Sequence, residues 1–316
     1  MTGKMRVGVS GGAGFIGSHV VDVLQERGHQ PWVFDHLGRA PGHLDAVTRI
    51  LGDVRDPVAM TELAAHVDGI IHLAACLGTQ ETIQNPRPAT MTNVEGGLNF
   101  LEACTQYNIP GVYIGVGNHW MNNTYSISKT TVERYVKMFN KERGTRVNVV
   151  RLVNAYGPRQ SVAPPFGAAK VRKITPALVC RALTGMPVEI YGDGEQVSDM
   201  VYVRDGALAL VKALEAAAAG DVFDCAVEVG PVESKTVNEV ARAVIEECVS
   251  RGIPPVELKH LPMRPGEIPG ARVTADTSTL SLVGIDPDEL VSLDEGMQDT
   301  VGWFIKHWLP RYRAAA

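Results

Sequence analysis

The stretch Ser10-Gly11-Gly12-Ala13-Gly14-Phe15-Ile16-Gly17 constrains this chain more than any other. It follows the short β-rich run Arg6-Val7-Gly8-Val9 and opens Phe15 to Arg27, whose apolar residues recur at helical spacing. A strand, a tight turn and a helix in that order give each glycine a task. Gly11 and Gly12 make the turn, Gly14 lets a pyrophosphate approach the backbone, and Gly17 allows close packing of helix on sheet. Phe15 and Ile16 fall in the first helical turn, where free amides and the helix dipole favour an anion. A dinucleotide suits such a loop; a ligand-free glycine turn is the alternative. Asp35 stands 18 residues beyond Gly17 at the end of a second strand, where a carboxylate accepts both adenosine ribose hydroxyls and repels a 2′-phosphate. That favours NAD over NADP, although Arg39 lies close by and is able to offset part of a phosphate's charge.

The same alternation continues to about Arg151. Strand-like runs Trp32 to Phe34, Ile50-Leu51, Ile70 to Leu73, Gly111 to Ile114 and Val147 to Val150 are separated by helical stretches at Val58 to His66, Ala89 to Tyr107 and Ser126 to Arg143. This predicts an α/β fold, a doubly wound parallel sheet of six strands with helices on both faces. Beyond Arg151, Gly157-Pro158, Pro164-Pro165, Gly192-Asp193-Gly194 and Pro254-Pro255 punctuate shorter elements, with helices expected near Ile174 to Leu183 and Val237 to Val249. We therefore expect residues 1–155 to form the nucleotide-binding domain, with later strands contributing. Residues 156–316 form mainly a smaller substrate-binding α/β part.

With 35 acidic against 30 basic residues, the net charge of −5 argues against nucleic acid as a partner. The five cysteines are widely spaced and lack a C-x-x-C pair, so neither a disulfide framework nor a metal site is expected, and the thiols read as packing residues in a reducing compartment. The opening residues run straight into the first strand, and no apolar run reaches 18 residues. A cytoplasmic protein without membrane contact is the expectation.

Over nearly its whole length the sequence resembles the extended short-chain dehydrogenase/reductase family, in its NAD-dependent sugar-nucleotide epimerase and dehydratase branch. The resemblance rests on the glycine motif, Gly52-Asp53-Val54-Arg55-Asp56, His72-Leu73-Ala74-Ala75, Asn93-Val94-Glu95-Gly96, Tyr125-Ser126-Ile127-Ser128-Lys129, Arg151 to Pro158, Tyr191-Gly192-Asp193-Gly194 and Arg264-Pro265-Gly266-Glu267. It implies a Rossmann-type fold in which Asp53 and Val54 face the adenine, Leu73, Ala74 and Ala75 line the NAD, and Asn93 supports the site. It places Asn154 and Arg264 at the diphosphate of a sugar nucleotide. It also implies a homodimer built from the helices of Ala89 to Tyr107 and Ser126 to Arg143.

The residue types argue the chemistry independently. Tyr125 and Lys129, four apart on a helix, project from one face. An ammonium beside a phenol, near a positively charged nicotinamide, is expected to lower the tyrosine pKa and make it a base toward a sugar hydroxyl. Two departures from the family stand out. The strand before Tyr125 usually ends in a serine or threonine, but here reads Tyr113-Ile114-Gly115-Val116-Gly117-Asn118-His119-Trp120, leaving Asn118, His119 and Thr124 as candidate replacements. An arginine commonly found at Ser198 is also missing, and Arg172, within Lys170-Val171-Arg172-Lys173, is the candidate substitute. The loop before Tyr125 lacks the Asp-Glu pair of the 4,6-dehydratases and the glutamate of the uronic acid decarboxylases. The resulting expectation is an NAD-dependent epimerase acting at C4. A dehydratase or net oxidoreductase of the same family, and a non-catalytic NAD-binding regulator, are the alternatives.

Overall fold

Strands whose residues are apolar without alternation must be covered on both faces, and the central strands here meet that condition. The computed structural model describes residues 3–36, 44–264 and 267–315; Arg39, Pro265 and Gly266 lie outside them. The first of two compact units comprises residues 1–152, 204–229 and 276–287. Its sheet is built from β1 (Arg6–Ser10), β2 (Gln30–Asp35), β3 (Thr48–Leu51), β4 (Gly69–His72), β5 (Gly111–Val116), β6 (Val147–Leu152) and a later strand, Val227–Val229. Among the described residues it has seven strands, all pairings parallel, where the sequence led us to expect six. The seventh is only three residues long and is set among turn-forming residues, too short to show a period.

The strand order, numbering the last strand of this sheet β11, is β11-β6-β5-β4-β1-β2-β3. The chain leaves β1 toward one edge and returns to β4 on its other side, so loops diverge from the carboxyl ends of β1 and β4. In sheets of this topology ligands bind at such a switch point.

Local chemistry sets the helix boundaries. In α1 (Phe15–Glu26) the N-cap is Gly14, which offers no side chain. In α2 (Pro57–His66) Asp56 caps Val58 and Pro57 opens the first turn. The expected helix from Ala89 to Tyr107 begins earlier, as α3 (Pro86–Thr90), passes through a π-helical turn at Met91–Glu95, and continues as α4 (Gly96–Tyr107). In α5 (Thr124–Arg143) the Asn123 side chain accepts from Ser126 N at 2.9 Å, and Gly144 ends the helix in the left-handed region. Phe34, Met60, Leu63, Phe100, Tyr113, Val132 and Phe139 fill the core between sheet and helices.

The second unit comprises residues 153–203, 230–275 and 288–316. It pairs β7 (Asn154–Tyr156) with β10 (Met200–Tyr202), β8 (Val188–Tyr191) with β12 (Leu258–Leu261), and β9 (Val197–Ser198) with β13 (Arg272–Val273). The helices α6 (Ile174–Leu183), α8 (Val237–Ser250) and α9 (Leu293–Trp303) close over a core of Tyr156, Leu178, Val179, Ile190, Val244 and Phe304. The alanine run ends α7 (Val203–Ala219), a helix that from Arg204 onward belongs to the first unit. Of the cysteines, Cys104, Cys180 and Cys248 are buried, but Cys225 is exposed, so packing does not account for all five. Among the described residues no helix is long and apolar enough to cross a membrane.

Candidate active site

The glycine loop has the shape its sequence demands. Gly11 takes φ +73°, and a Cβ there would lie 2.9 Å from the amide nitrogen of Ala74. A Cβ on Gly17 would stand 2.2 Å from the carbonyl oxygen of Gly11, so only glycine lets the first turn of α1 approach the loop. Gly14 differs: its Cβ direction meets only Gly11 O, at 3.1 Å, and is otherwise open. The α1 start has neither a side-chain cap nor an acid in its first turn, which leaves its amides and dipole to an anion from outside the helix. Asp35, 8% exposed, accepts from Ala13 N at 3.1 Å and thereby joins the end of β2 to this loop. A cradle of open amides with a carboxylate at the next strand's end fits a dinucleotide.

Of the remaining expected cofactor contacts, Asp53 is paired with Arg55, which holds its carboxyl below the usual range through a side-chain hydrogen bond. Val54 is buried, and its carbonyl accepts from Asn99 Nδ2 at 2.9 Å. Leu73 donates its amide to Ser10 O, and Ala74 donates to Ser10 Oγ at 3.4 Å, so the segment Leu73-Ala74-Ala75 lies beside the glycine loop. Asn93, in the π-helical turn, accepts from Cys76 N at 2.7 Å and donates to Ser128 Oγ at 2.9 Å. It ties the loop after β4 to α5. Ser128, which sequence reasoning did not single out, completes the tie by donating to Tyr125 O at 2.9 Å.

Both Tyr125 and Lys129 lie on α5, as the spacing required. Tyr125 is partly exposed, and among the described residues its hydroxyl has no hydrogen-bond partner. Lys129 is 1% exposed. Burial pushes the Tyr125 phenol up to about 12 and pulls the Lys129 ammonium down to about 7, with Glu133 acting against the latter fall. The expectation that Lys129 lowers the tyrosine is thus not met by the chain alone, because desolvation disfavours both charged forms. The Lys129 ammonium instead sits 4.1 Å from the ring centre of Tyr113.

Glu133, one turn on, pairs with Arg151 on β6 at 2.6 Å, and Arg151 also holds Glu228 at 2.8 Å. Gly115 is needed there: a Cβ would come within 2.3 Å of Glu133 Oε1. This glycine stands in the strand end that carries no hydroxyl, where a side chain would meet the Glu133–Arg151 pair.

Seven residues, 117–123, join β5 to α5. Asn118 Oδ1 accepts from Ser126 Oγ at 3.3 Å, Thr130 Oγ1 donates to His119 O at 3.2 Å, and Thr124 Oγ1 donates to Thr82 O at 3.1 Å. His119 Nδ1 is buried without a partner. Thr124 is therefore engaged, whereas the imidazole of His119 is available.

In the second unit, Arg172 donates to Tyr191 Oη at 2.8 Å, and the guanidinium of Arg264 lies 4.7 Å from the centre of the same ring. Arg264 pairs with Glu267, and its Nε is buried without a partner. Asn154 Nδ2 donates to Ser198 Oγ. The structure therefore joins Arg172 to Arg264 through Tyr191, and Asn154 to the serine that stands in place of an arginine. Among the described residues no cluster of His, Cys, Asp and Glu could hold a metal ion.

Residues 7–230 match the sequence profile of the NAD dependent epimerase/dehydratase family. A putative UDP-glucose 4-epimerase of Methanocaldococcus jannaschii is 30% identical over 315 residues, covering 93% of this chain and 97% of that protein. A UDP-N-acetyl-alpha-D-glucosaminuronate decarboxylase of Bacillus cytotoxicus is 26% identical over 332 residues, covering 95% and 98%. The crystal structure of Thermus thermophilus UDP-glucose 4-epimerase in complex with NAD superposes with a TM-score of 0.80 at 31% identity, covering 96% of this chain and all of that one.

Proposed function

Since the chain belongs to the NAD-dependent epimerase/dehydratase family, whose cofactor is NAD, we propose that it is a sugar-nucleotide epimerase acting at C4. One observation favours epimerisation over the family's other reactions. Elimination of water needs an acid for the leaving hydroxyl and a base for the neighbouring carbon, and the loop 117–123 carries no carboxylate. The nearest acid along α5, Glu133, is committed to Arg151. Tyr125 and the imidazole of His119 are left as the proton-transfer groups of this stretch. Epimerisation at an alcohol carbon asks for no other.

NAD, when bound, supplies the acceptor for a hydride from the sugar carbon and its return to the opposite face. Gly11, Gly14, Phe15, Ile16 and Gly17 hold its pyrophosphate, Asp35 its adenosine ribose, and Asp53, Val54 and Leu73 to Ala75 flank it. Tyr125 takes the proton of the sugar hydroxyl and gives it back to the keto oxygen. Lys129 offsets the charge that develops on the phenolate. The Asn93–Ser128 tie fixes the turn of α5 from which both project. His119 and Asn118 offer a hydrogen bond to the reacting hydroxyl in place of the absent serine. Asn154, Arg172 and Arg264 anchor the nucleotide diphosphate. We also place a homodimer on α4 and α5, where Tyr107, Ile127 and Met138 are exposed; a monomeric mass by light scattering at micromolar concentration would remove it.

Incubation of the protein and NAD with UDP-, GDP-, dTDP- and CDP-sugars in deuterated water tests the reading. A C4 epimer without solvent deuterium is the expected product. Deuterium at C3 or C5, or a stoichiometric change in NADH absorbance, would replace it with dehydration or net redox chemistry.

A further inference from the structure

Beneath the proposed proton-transfer pair lies a stack of rings. Phe100 of α4, His72 of β4 and Tyr113 of β5 are nearly parallel, with centres 4.9 Å and 5.9 Å apart and planes inclined by 14° and 15°. All three are fully buried. The ammonium of Lys129 caps the stack over Tyr113, 4.1 Å from its ring centre. Among the described residues Lys129 Nζ has no hydrogen-bond acceptor, and no ion pair reaches it. A buried ammonium without a partner is expensive, so whatever faces it decides whether it stays charged.

Glu133, one turn along α5, is drawn to Arg151 of β6 and only partly supports the charge. His72 of β4 is neutral, held far down by burial and by Lys129 itself, so it neither pairs nor repels. Tyr125, on α5, bears no charge until it gives up its proton. What remains is the π face of Tyr113, whose negative quadrupole attracts a cation. Tyr113 Oη also donates to the main-chain carbonyl of Lys129 at 3.4 Å, which holds the residue at its other end. Burial, Glu133 and Tyr125 all keep Tyr113 protonated, so it does not compete with Tyr125 as a base.

We propose that Tyr113 is the positioning residue for Lys129: its ring face seats the ammonium and favours its charged form on the helical turn that follows Tyr125. The role of Lys129 in proton transfer rests on the epimerase reading above; the seating itself does not.

The test separates the ring's electrostatics from its volume. Tyr113→Phe is the reference, and mono-, di- and trifluorinated phenylalanine are introduced at the same position, which drains the π face while leaving the packing nearly unchanged. The readout is the NMR titration of isotope-labelled Lys129 Cε, assigned by its loss in Lys129→Met. Tyr113→Phe should titrate close to the unmodified protein, and the midpoint should fall with each fluorine, by roughly 0.5 to 1 pH unit across the series. A midpoint that is constant or rises along the series would overturn the proposal and leave Tyr113 as core packing. No sugar substrate enters the measurement. Failure of the epimerase reading would therefore leave this result standing, and the reverse also holds.

Discussion

Two alanine substitutions, three residues apart in the glycine loop, should fail in opposite ways. At Gly17 the new methyl would lie 2.2 Å from Gly11 O and 2.7 Å from the Cα of Gly12. Both obstacles are backbone, so relief requires the loop and α1 to separate by about 1 Å, an overpacking that costs about 3 kcal/mol. For a chain of this size, at about 2.1 cal/mol/K of unfolding entropy per residue, that lowers the melting temperature by roughly 4 to 5 °C. At Gly14 the backbone is extended, with φ −78° and ψ −178°, which alanine adopts freely. The added methyl there meets only Gly11 O at 3.1 Å, and the loss is that of a weak N-cap, below about 1 kcal/mol. The methyl does, however, enter the open face where a pyrophosphate would approach the amides of α1. Displacing even one charge-assisted hydrogen bond removes about 1.5 to 3 kcal/mol, or at least roughly tenfold in NAD affinity. Calorimetric melting and titration with NAD on the same preparations separate the two effects. Gly14→Ala should keep its melting temperature within roughly 3 °C and lose affinity. Gly17→Ala should lose stability first. If Gly14→Ala binds NAD as the parent does, the pyrophosphate does not lie against that face, and the assignment of the loop fails.

Tyr125→Phe should lower turnover by roughly 10²- to 10⁴-fold while NAD affinity and melting temperature stay near the parent's; full activity in an NMR product assay would exclude it as the proton-transfer group. Glu133→Gln leaves the mostly buried Arg151 with only Glu228 for charge and should destabilise the fold by about 2 to 3 kcal/mol, read by urea denaturation; an unchanged midpoint would mean that the pair contributes nothing. His72 is held down to about 3 in the fold against an ordinary 6.5, so the unfolded chain binds a proton first as the pH falls. Its contribution to stability is complete above pH 6.5 and is lost below it, on the order of 2 kcal/mol by pH 5; His72→Phe should flatten that decline, and an identical decline in the variant would show that His72 is not its source.

Much of the first unit was legible because its chemistry is local. The glycine loop, Asp35, and the placing of Tyr125 and Lys129 on one helix each depend on residues within one strand–turn–helix passage or one helical turn, where spacing fixes geometry. The strand Val227–Val229 was not legible, since three residues carry no period and its place beside β6 is decided by a contact 77 residues away in the chain. The π-helical turn that lets Asn93 reach both Cys76 and Ser128 has no composition of its own. It is set by the two segments that it ties together.

The environment of Tyr125 was hidden for a deeper reason. Sequence spacing shows that an ammonium lies near a phenol and leads directly to a lowered tyrosine pKa. That step assumes the charge is available, and whether it is depends on burial and on every charged group from neighbouring strands. Here Arg151, from β6, draws Glu133 away from Lys129, and Tyr113, from β5, supplies a ring where a carboxylate would otherwise be needed. Burial in the chain alone therefore raises the Tyr125 phenol and lowers the Lys129 ammonium. A site in that state is an acid at rest. It becomes a base when a further positive charge enters beside Tyr125 and outweighs its desolvation, the change that binding NAD would bring. Proton transfer is then coupled to occupancy, so an unliganded site does not hold a reactive phenolate against solvent.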